Sequence, residues 1–251
     1  MIAALLHEIA TPAFVIAAIA IAASGIVKGF AGFGVAMVGG PVLAVLYSPV
    51  EAIATILALE LVTAAQLVPR AAARAEWPIV APLVLASWLT IPIGSYFLVA
   101  FDPLLVRRAI AATAFLFALV MLFGARYRGR QSLPISLGIG VGSGVITGAT
   151  GMGNPLLILY VLVGNAPAER LRADIVMLSF LMVSAAAVSL FVNTEFAPAA
   201  LVRAAALVPV VVIATMVGAK LFGRVSDTLF RRFALAAIVA TALAALISVS
   251  S

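Results

Sequence analysis

The chain has 251 residues, of which 65% are hydrophobic and only 10% are charged. No soluble domain of this length buries so much apolar surface, so the composition excludes a soluble protein and indicates one polytopic membrane unit. The apolar runs lack strand-like alternation, which predicts helices rather than a barrel. The absence of cysteine and the single histidine, His7, exclude thiol chemistry and metal sites built from these residues. We therefore expect no metal and no other cofactor.

Charges and turn residues divide the chain into ten apolar segments, five on each side of a basic stretch. This division predicts a first repeat in residues 1–125, a cytoplasmic basic connector in 126–132 and a second repeat in 133–251. The predicted segments cover about 12–28, 32–47, 51–69, 77–100, 104–124, 133–147, 154–164, 173–192, 200–222 and 229–248.

An internal duplication supports the two halves. The stretch from Ser24 to Gly34 matches the stretch from Ser143 to Gly153 without a gap. A second anchor lies later in each half, where Gly94, Arg107 and Arg108 align with Gly218, Arg231 and Arg232 at a constant offset. Because five segments per half is an odd number, the two repeats are predicted to have inverted topology.

Positive charges test this topology. If every segment reverses direction, twelve Lys and Arg residues share one side, and only Arg107, Arg108 and Arg203 lie on the other. If each glycine region were one continuous crossing, the count would be eight against six, with Lys28 inside the membrane. The positive-inside rule favours the first arrangement. We expect both termini outside the cytoplasm and attribute the net charge of +6 to loop asymmetry, not to a nucleic-acid partner.

Two glycine-rich tips, Gly29, Gly32 and Gly34 in one half and Gly148, Gly151 and Gly153 in the other, are the candidate site. Residues 154–164 cover about 16 Å as a helix, against a hydrocarbon core of about 30 Å, so each half is expected to begin with a Gly-tipped helical hairpin, re-entrant or crossing. Helix N-termini at these tips present free N–H groups and partial positive charge, which suits an anion. Asn154 is expected to cap the helix that follows. The candidate substrate-binding residues are Lys28, Gly32, Phe33, Gly34, Thr150, Gly151, Met152, Gly153 and Asn154.

Lys28 and three residues outside this list need a separate interpretation. Gly25 and Gly144 are assigned to close helix packing, as in small-xxx-small patterns. Lys28 either adds charge to the first tip or extends to the cytoplasmic interface. Glu60, in the middle of an apolar segment, is a candidate proton-coupling group. The alternative is a neutral Glu60 that braces helices through Thr55 or Gln66.

The motifs resemble a known family. Gly32-Phe33-Gly34 followed by Pro41-Val42-Leu43, and the run from Gly148 to Tyr160, are similar to the paired signatures of the TauE/SafE family of membrane transporters. The chain has Gly151-Met152-Gly153-Asn154-Pro155 where many relatives have a Gly-Pro-Pro run. The resemblance covers nearly the whole chain.

The resemblance implies secondary transport of sulfite, sulfoacetate or a related organosulfonate across a bacterial inner membrane. An anion channel, or a carrier for a carboxylate or another small anion, is the alternative. No Walker A pattern occurs, and no nucleophile-base pair points to an enzyme. The expected partners are a small anion and the lipid bilayer. A proton or sodium is the candidate coupling ion, and a homodimer is the candidate assembly.

Overall fold

The computed structural model describes residues 11–31, 34–65, 68–122, 131–162, 167–193 and 198–221, together with 236, 239, 240 and 243. This part of the chain is entirely helical, without strands. Its helices are α1 (Pro12–Ala31), α2 (Val35–Leu46), α3 (Pro49–Ala65), α4 (Val68–Ala72), α5 (Trp77–Ala100), α6 (Pro103–Leu122), α7 (Leu133–Thr150), α8 (Asn154–Val161), α9 (Ala168–Asn193) and α10 (Pro198–Leu221).

Eight of the ten described helices fall into two length classes, and α3 with 17 residues and α4 with 5 residues belong to neither. Six of them, α1, α5, α6, α7, α9 and α10, are long and apolar enough to cross a membrane. By contrast, α2 has 12 residues and α8 has 8, which correspond to about 18 Å and about 12 Å of helix against a hydrocarbon core of about 30 Å. The long helices expose large apolar side chains such as Leu89 and Val192, as a lipid-facing surface requires. The predicted polytopic, all-α membrane protein is confirmed.

Each short helix folds back on the long helix before it. In the first pair, a Cβ on Gly34 would lie 2.9 Å from Val27, and a Cβ on Gly39 would lie 2.9 Å from Ile21. Because the contacts move backward along α1 as they move forward along α2, the two helices are antiparallel. In the second pair, Gly153 lies against Thr147, Leu156 near Gly142 and Tyr160 near Ser136, so these two helices are antiparallel as well. The helical hairpins predicted from the glycine motifs are therefore present.

Glycines also join helices that are far apart in sequence. A Cβ on Gly140 would lie 2.6 Å from the carbonyl oxygen of Leu83, and a Cβ on Gly148 would lie 2.6 Å from the backbone nitrogen of Ser95. The helices α7 and α5 thus run parallel with their backbones in close contact. The helices α1 and α10 pack in the same way, with Gly25 against Ala214. Small residues permit this approach, which is how membrane helices associate.

These two interfaces place the first helix of each hairpin against a long helix of the other half of the chain. The packing role expected for Gly25 and Gly144 is confirmed, since a Cβ at either position would press on the facing helix. Gly29 and Gly148 were expected at the tips, and that expectation is wrong. Both lie inside helices, where a Cβ would overlap the backbone of Thr215 or Ile91.

Among the described residues, the predicted boundaries hold to within four residues except at the start of α9, and α4 was not predicted as a separate helix. α9 begins at Ala168, five residues before the predicted start at 173. The apolar pattern predicts only the later part of this helix, because the first turns carry the charged residues Glu169 and Arg170. Glu169 pairs with Arg74 at 3.3 Å, and both side chains are exposed. The helix therefore continues beyond its apolar part. The predicted segment 229–248 and the basic stretch 126–130 lie almost entirely outside the described residues, and the inverted repeats stay a prediction.

Candidate functional site

A buried ion pair lies between the first hairpin and the helix that follows it. Lys28 Nζ on α1 is 3.1 Å from Glu60 Oε2 on α3, and each side chain is only 6% exposed. Thr63, one turn beyond Glu60, donates its hydroxyl proton to the backbone carbonyls of Leu59 and Glu60. Two opposite charges buried among apolar helices are stable only as a pair, because each alone would be an uncompensated charge in a medium of low polarity.

The pairing decides between alternatives that the sequence left open. Lys28 does not extend to the interface, since its side chain is directed into the protein. Glu60 lies eleven residues after Pro49, the first residue of α3, which places it about 16 Å along that helix. The alternative interpretation of Glu60 was a bracing contact with Thr55 or Gln66. Thr55 is fully buried with an unpartnered hydroxyl, and Gln66 lies outside the described residues.

The first half-helix, α2, begins beside the residue that precedes Lys28, since a Cβ on Gly34 would lie 2.9 Å from Val27. Gly34 is its N-cap residue with φ at +128°, a conformation that side chains rarely permit. Because glycine supplies no capping oxygen, the first-turn N–H groups of α2 carry the partial positive charge of the helix N-terminus. Val35 and Met37 in that turn are buried. Gly32 and Phe33, the other candidates at this tip, lie outside the described residues.

The second tip turns through a left-handed residue. Gly151 ends α7 at φ +72°, and its N–H donates to the Thr147 carbonyl at 2.8 Å. Gly153, packed against Ser143 and Thr147, is the N-cap residue of α8. The expected capping role of Asn154 is therefore wrong, because Asn154 is already the first helical residue.

Two polar side chains flank the second tip. Thr150 donates its hydroxyl proton to the Ile146 carbonyl at 2.8 Å, so only its lone pairs remain for another partner. The amide oxygen Oδ1 of Asn154 is buried and has no hydrogen-bond partner. A buried polar atom without a partner is uncommon in native structures. Asn154 Oδ1, which can only accept a hydrogen bond, and the equally unpartnered Ser143 Oγ beside Gly153 are therefore polar atoms near this tip that are still available to a ligand.

The second tip contacts α2 and α3, the two helices that follow the first tip. Met152 is 1% exposed, and its methyl group lies 2.8 Å from the position of a Cβ on Gly40 in α2. Gly151 faces Ile53 of α3. Gly40 is six residues after Gly34, or about 9 Å along α2. The structure thus brings the candidate Met152 against α2, which begins after Gly34. It brings the candidate Gly151 against α3, which carries Glu60.

A tyrosine holds the second hairpin together at the end away from its tip. The hydroxyl of Tyr160 lies 2.7 Å from Ser136 Oγ and accepts a hydrogen bond from the Ser132 N–H at 3.2 Å. Tyr160 is 1% exposed. No sequence motif predicted this contact. The available signal was the tyrosine itself, because a tyrosine near the end of an eight-residue apolar helix needs a partner for its hydroxyl.

Comparison with known proteins identifies the family. The family model described as "Sulfite exporter TauE/SafE" matches residues 16–245, nearly the whole chain. No curated protein and no solved structure gives a significant match. The chain therefore belongs to the TauE/SafE family, a family of membrane transporters that export sulfur anions, and the resemblance stated from the glycine motifs is confirmed. Membership in a transporter family agrees with the expectation that the chain is not an enzyme.

Proposed function

We propose that this member of the TauE/SafE family is a secondary transporter that moves a small sulfur-containing oxyanion across the bacterial inner membrane by alternating access. Sulfite, sulfoacetate and related organosulfonates form the substrate class, and both termini lie outside the cytoplasm. The observation that carries the proposal is the Lys28–Glu60 ion pair, buried beside the N-terminus of the half-helix α2.

The chemistry of the tips fits such an anion. A sulfite or sulfonate group spreads its charge over three oxygens, each of which accepts hydrogen bonds. Helix N-termini offer N–H donors with partial positive charge, and α2 and α8 both begin at glycines that leave these donors uncapped. Lys28 supplies the full positive charge, and charge-assisted hydrogen bonds are stronger than neutral ones.

Glu60 gives the site a means of release. In the absence of substrate its carboxylate balances the Lys28 ammonium at 3.1 Å. An arriving anion takes the place of that carboxylate, and the displaced carboxylate takes up a proton, because an unpaired charge is costly in this environment. The described parts of α1, α2 and α3 contain only one other charged residue, Glu51 near the start of α3. Substrate binding and proton uptake are therefore coupled at one pair of residues.

Transport by purified protein tests the role of Lys28. In proteoliposomes loaded with sulfite, we expect Lys28→Gln, and Lys28→Gln combined with Glu60→Gln, to abolish saturable efflux. The double variant leaves no unpaired buried charge, so it separates loss of function from loss of folding. Lys220→Gln is the matched control, because Lys220 is exposed near the end of α10. Wild-type efflux by the double variant would refute the proposed site.

Two further measurements define the mechanism. Counterflow of labelled sulfoacetate against unlabelled sulfite is expected for a carrier and absent for an anion channel, and a carboxylate competitor of similar size tests the substrate class. Glu60→Gln, assayed against a pH gradient, is expected to transport without the pH dependence of the wild type. An unchanged pH dependence would remove Glu60 from the mechanism.

A further inference from the structure

Two aligned serines, one in each hairpin, use their hydroxyl groups differently. Ser24 on α1 and Ser143 on α7 occupy the same place in the duplicated stretch, and both are 0% exposed. Ser24 donates its hydroxyl proton to the carbonyl of Ile21, three residues earlier, at 2.8 Å. The hydroxyl of Ser143 has no hydrogen-bond partner. A buried hydroxyl without a partner is costly to the fold and uncommon, so this one requires an explanation.

The packing of α5 against α7 explains why Ser143 is unpartnered. The carbonyl that corresponds to that of Ile21 is the Gly140 carbonyl, and Ser87 Oγ on α5 lies 2.8 Å from it. Ser87 Oγ is also 2.7 Å from the Leu83 carbonyl, so its proton is shared between the two oxygens. Within α7, the Gly140 carbonyl also accepts the N–H of the residue four positions later. Since a carbonyl oxygen has two lone pairs, it offers no acceptor site to Ser143.

Ser143 lies beside the first turn of the half-helix α8. A Cβ on Gly153, the N-cap residue of α8, would overlap the Ser143 carbonyl, and a Cβ on Gly142 would lie 3.6 Å from Leu156 in the first turn. Side chains of a helix tilt toward its N-terminus, and α8 runs antiparallel to α7. The Ser143 side chain therefore leans along the first turn of α8.

This turn also presents backbone donors. The first N–H groups of a helix have no acceptor within it and carry partial positive charge, and Gly153 supplies no side-chain cap. A free hydroxyl donor and uncapped N–H groups are thus brought to one place. Asn154 Oδ1 in the same turn is an acceptor and adds no donor. The donors together suit an oxyanion, which accepts several hydrogen bonds at once.

We propose that Ser143 is a substrate-binding residue, whose hydroxyl donates to an oxygen of the transported anion at the first turn of α8. The hydroxyl and the N–H groups are neutral, so this end of the site binds by hydrogen bonds, while Lys28 supplies the charge. Ser87 is a positioning residue, because it acts through the Gly140 carbonyl that Ser143 would otherwise use. The identity of the anion as sulfite or a sulfonate rests on the proposed function.

Paired alanine substitutions in the purified full-length protein are the test. Ser143→Ala should weaken sulfite binding about tenfold in calorimetry under argon, as for loss of one hydrogen bond to a charged ligand. Ser24→Ala is the matched control, since it removes the same atom at the aligned and equally buried position, where the hydroxyl is already bonded. It should leave the affinity unchanged.

Thermal unfolding without sulfite should show the reverse order. Ser24→Ala loses a hydrogen bond and should lower the Tm by about 3 °C. Ser143→Ala removes an unpartnered hydroxyl and should not lower it. A Tm loss at Ser143 equal to that at Ser24 would show that the Ser143 hydroxyl is bonded within the protein and is not free for a ligand.

Ser87→Ala tests how the hydroxyl is kept free. When the Gly140 carbonyl is released, Ser143 should donate to it as Ser24 donates to Ile21, which should weaken sulfite binding about threefold. In the Ser143→Ala background the same substitution should have no further effect on affinity. Equal losses in both backgrounds would remove Ser87 as a positioning residue.

The outcomes separate this inference from the proposed function. If the wild type, Ser143→Ala and Ser24→Ala bind sulfite equally well, Ser143 is not a substrate-binding residue, even when the wild type transports sulfite. If Ser143→Ala alone binds weakly while the wild type transports no sulfite in proteoliposomes, the role of Ser143 in binding stands and the proposed function fails. Absence of sulfite binding by the wild type would overturn both.

Discussion

The two hairpins have similar backbones and different chemistry. Each consists of a long helix and a short antiparallel helix joined at a glycine turn, and each long helix packs by glycines against the other half of the chain. The first hairpin carries Lys28, which pairs with Glu60. The second, in α7 and α8, contains no charged residue and is held by the contact of Tyr160 with Ser136. Glycines thus set the architecture of both hairpins, while charge is confined to one.

Aligned positions show the same difference at single residues. Thr147 occupies the place of Lys28 in the duplicated stretch, and its hydroxyl donates to the Ser143 carbonyl at 2.7 Å. Asn154, with its unpartnered Oδ1, aligns with the apolar Val35. Two hairpins of similar backbone therefore carry different side-chain chemistry, with the full charge in the first and neutral polar groups in the second.

The largest expected effect comes from breaking the ion pair of the first hairpin. Lys28→Met or Glu60→Met alone leaves a buried charge without a partner and should lower the free energy of unfolding by about 3–5 kcal/mol. The double variant, Lys28→Met with Glu60→Met, should lose much less free energy of unfolding. Chemical unfolding in detergent measures the three variants, and losses that simply add in the double variant would show that the two side chains do not act as a pair.

A smaller loss of stability is expected from substitution of the glycines through which both hairpins pack against the other half of the chain. Gly29→Ala and Gly148→Ala should each destabilise by about 3 kcal/mol, the upper part of the usual range for overpacking, because the overlapping atoms are backbone. Thermal stability of the two variants checks this expectation. Gly138→Ala on α7 is the control, since a Cβ there meets nothing within 4 Å. A large loss for one glycine and none for the other would contradict the matched interfaces.

The smallest expected effect concerns the second hairpin alone. Tyr160→Phe removes the hydroxyl that contacts Ser136 and Ser132 and should cost about 1 kcal/mol, the typical net value of a hydrogen bond. Tyr96→Phe is the comparison, because Tyr96 is 64% exposed. If both substitutions are equally harmless in thermal unfolding, the hydroxyl does not hold the hairpin.

The sequence predicted most of the scaffold, because hydropathy and glycine spacing are local signals. The long spans, both hairpins and the family follow from them. The roles of Gly29 and Gly148 did not, because a glycine in a membrane helix serves equally well at a turn or at a close contact. Their contacts lie on Thr215 and Ile91, in helices that no local pattern connects to them.

The chemistry was predictable only in part. Lys28 and Glu60 were each singled out as charges in apolar surroundings, but they are 32 residues apart, and helix rotation decides whether such residues meet. A rule that every buried charge requires a partner would have joined them. The contacts of Arg107 and Arg203 with Tyr47, a hydrogen bond at 3.1 Å and a ring contact at 3.4 Å, were not predictable for the same reason, since they depend on the packing of α6 and α10 around the end of α2.

The most direct test of the central claim is the stabilisation of Glu60→Gln by sulfite. If the anion replaces the Glu60 carboxylate at Lys28, the Glu60→Gln variant has an unpaired Lys28 ammonium, which sulfite can neutralise without competition. Sulfite should then bind the variant more tightly, and a more tightly bound ligand stabilises the folded protein more. We predict that sulfite raises the Tm of Glu60→Gln by several degrees more than that of the wild type. An equal or smaller shift for Glu60→Gln would contradict a substrate anion at Lys28.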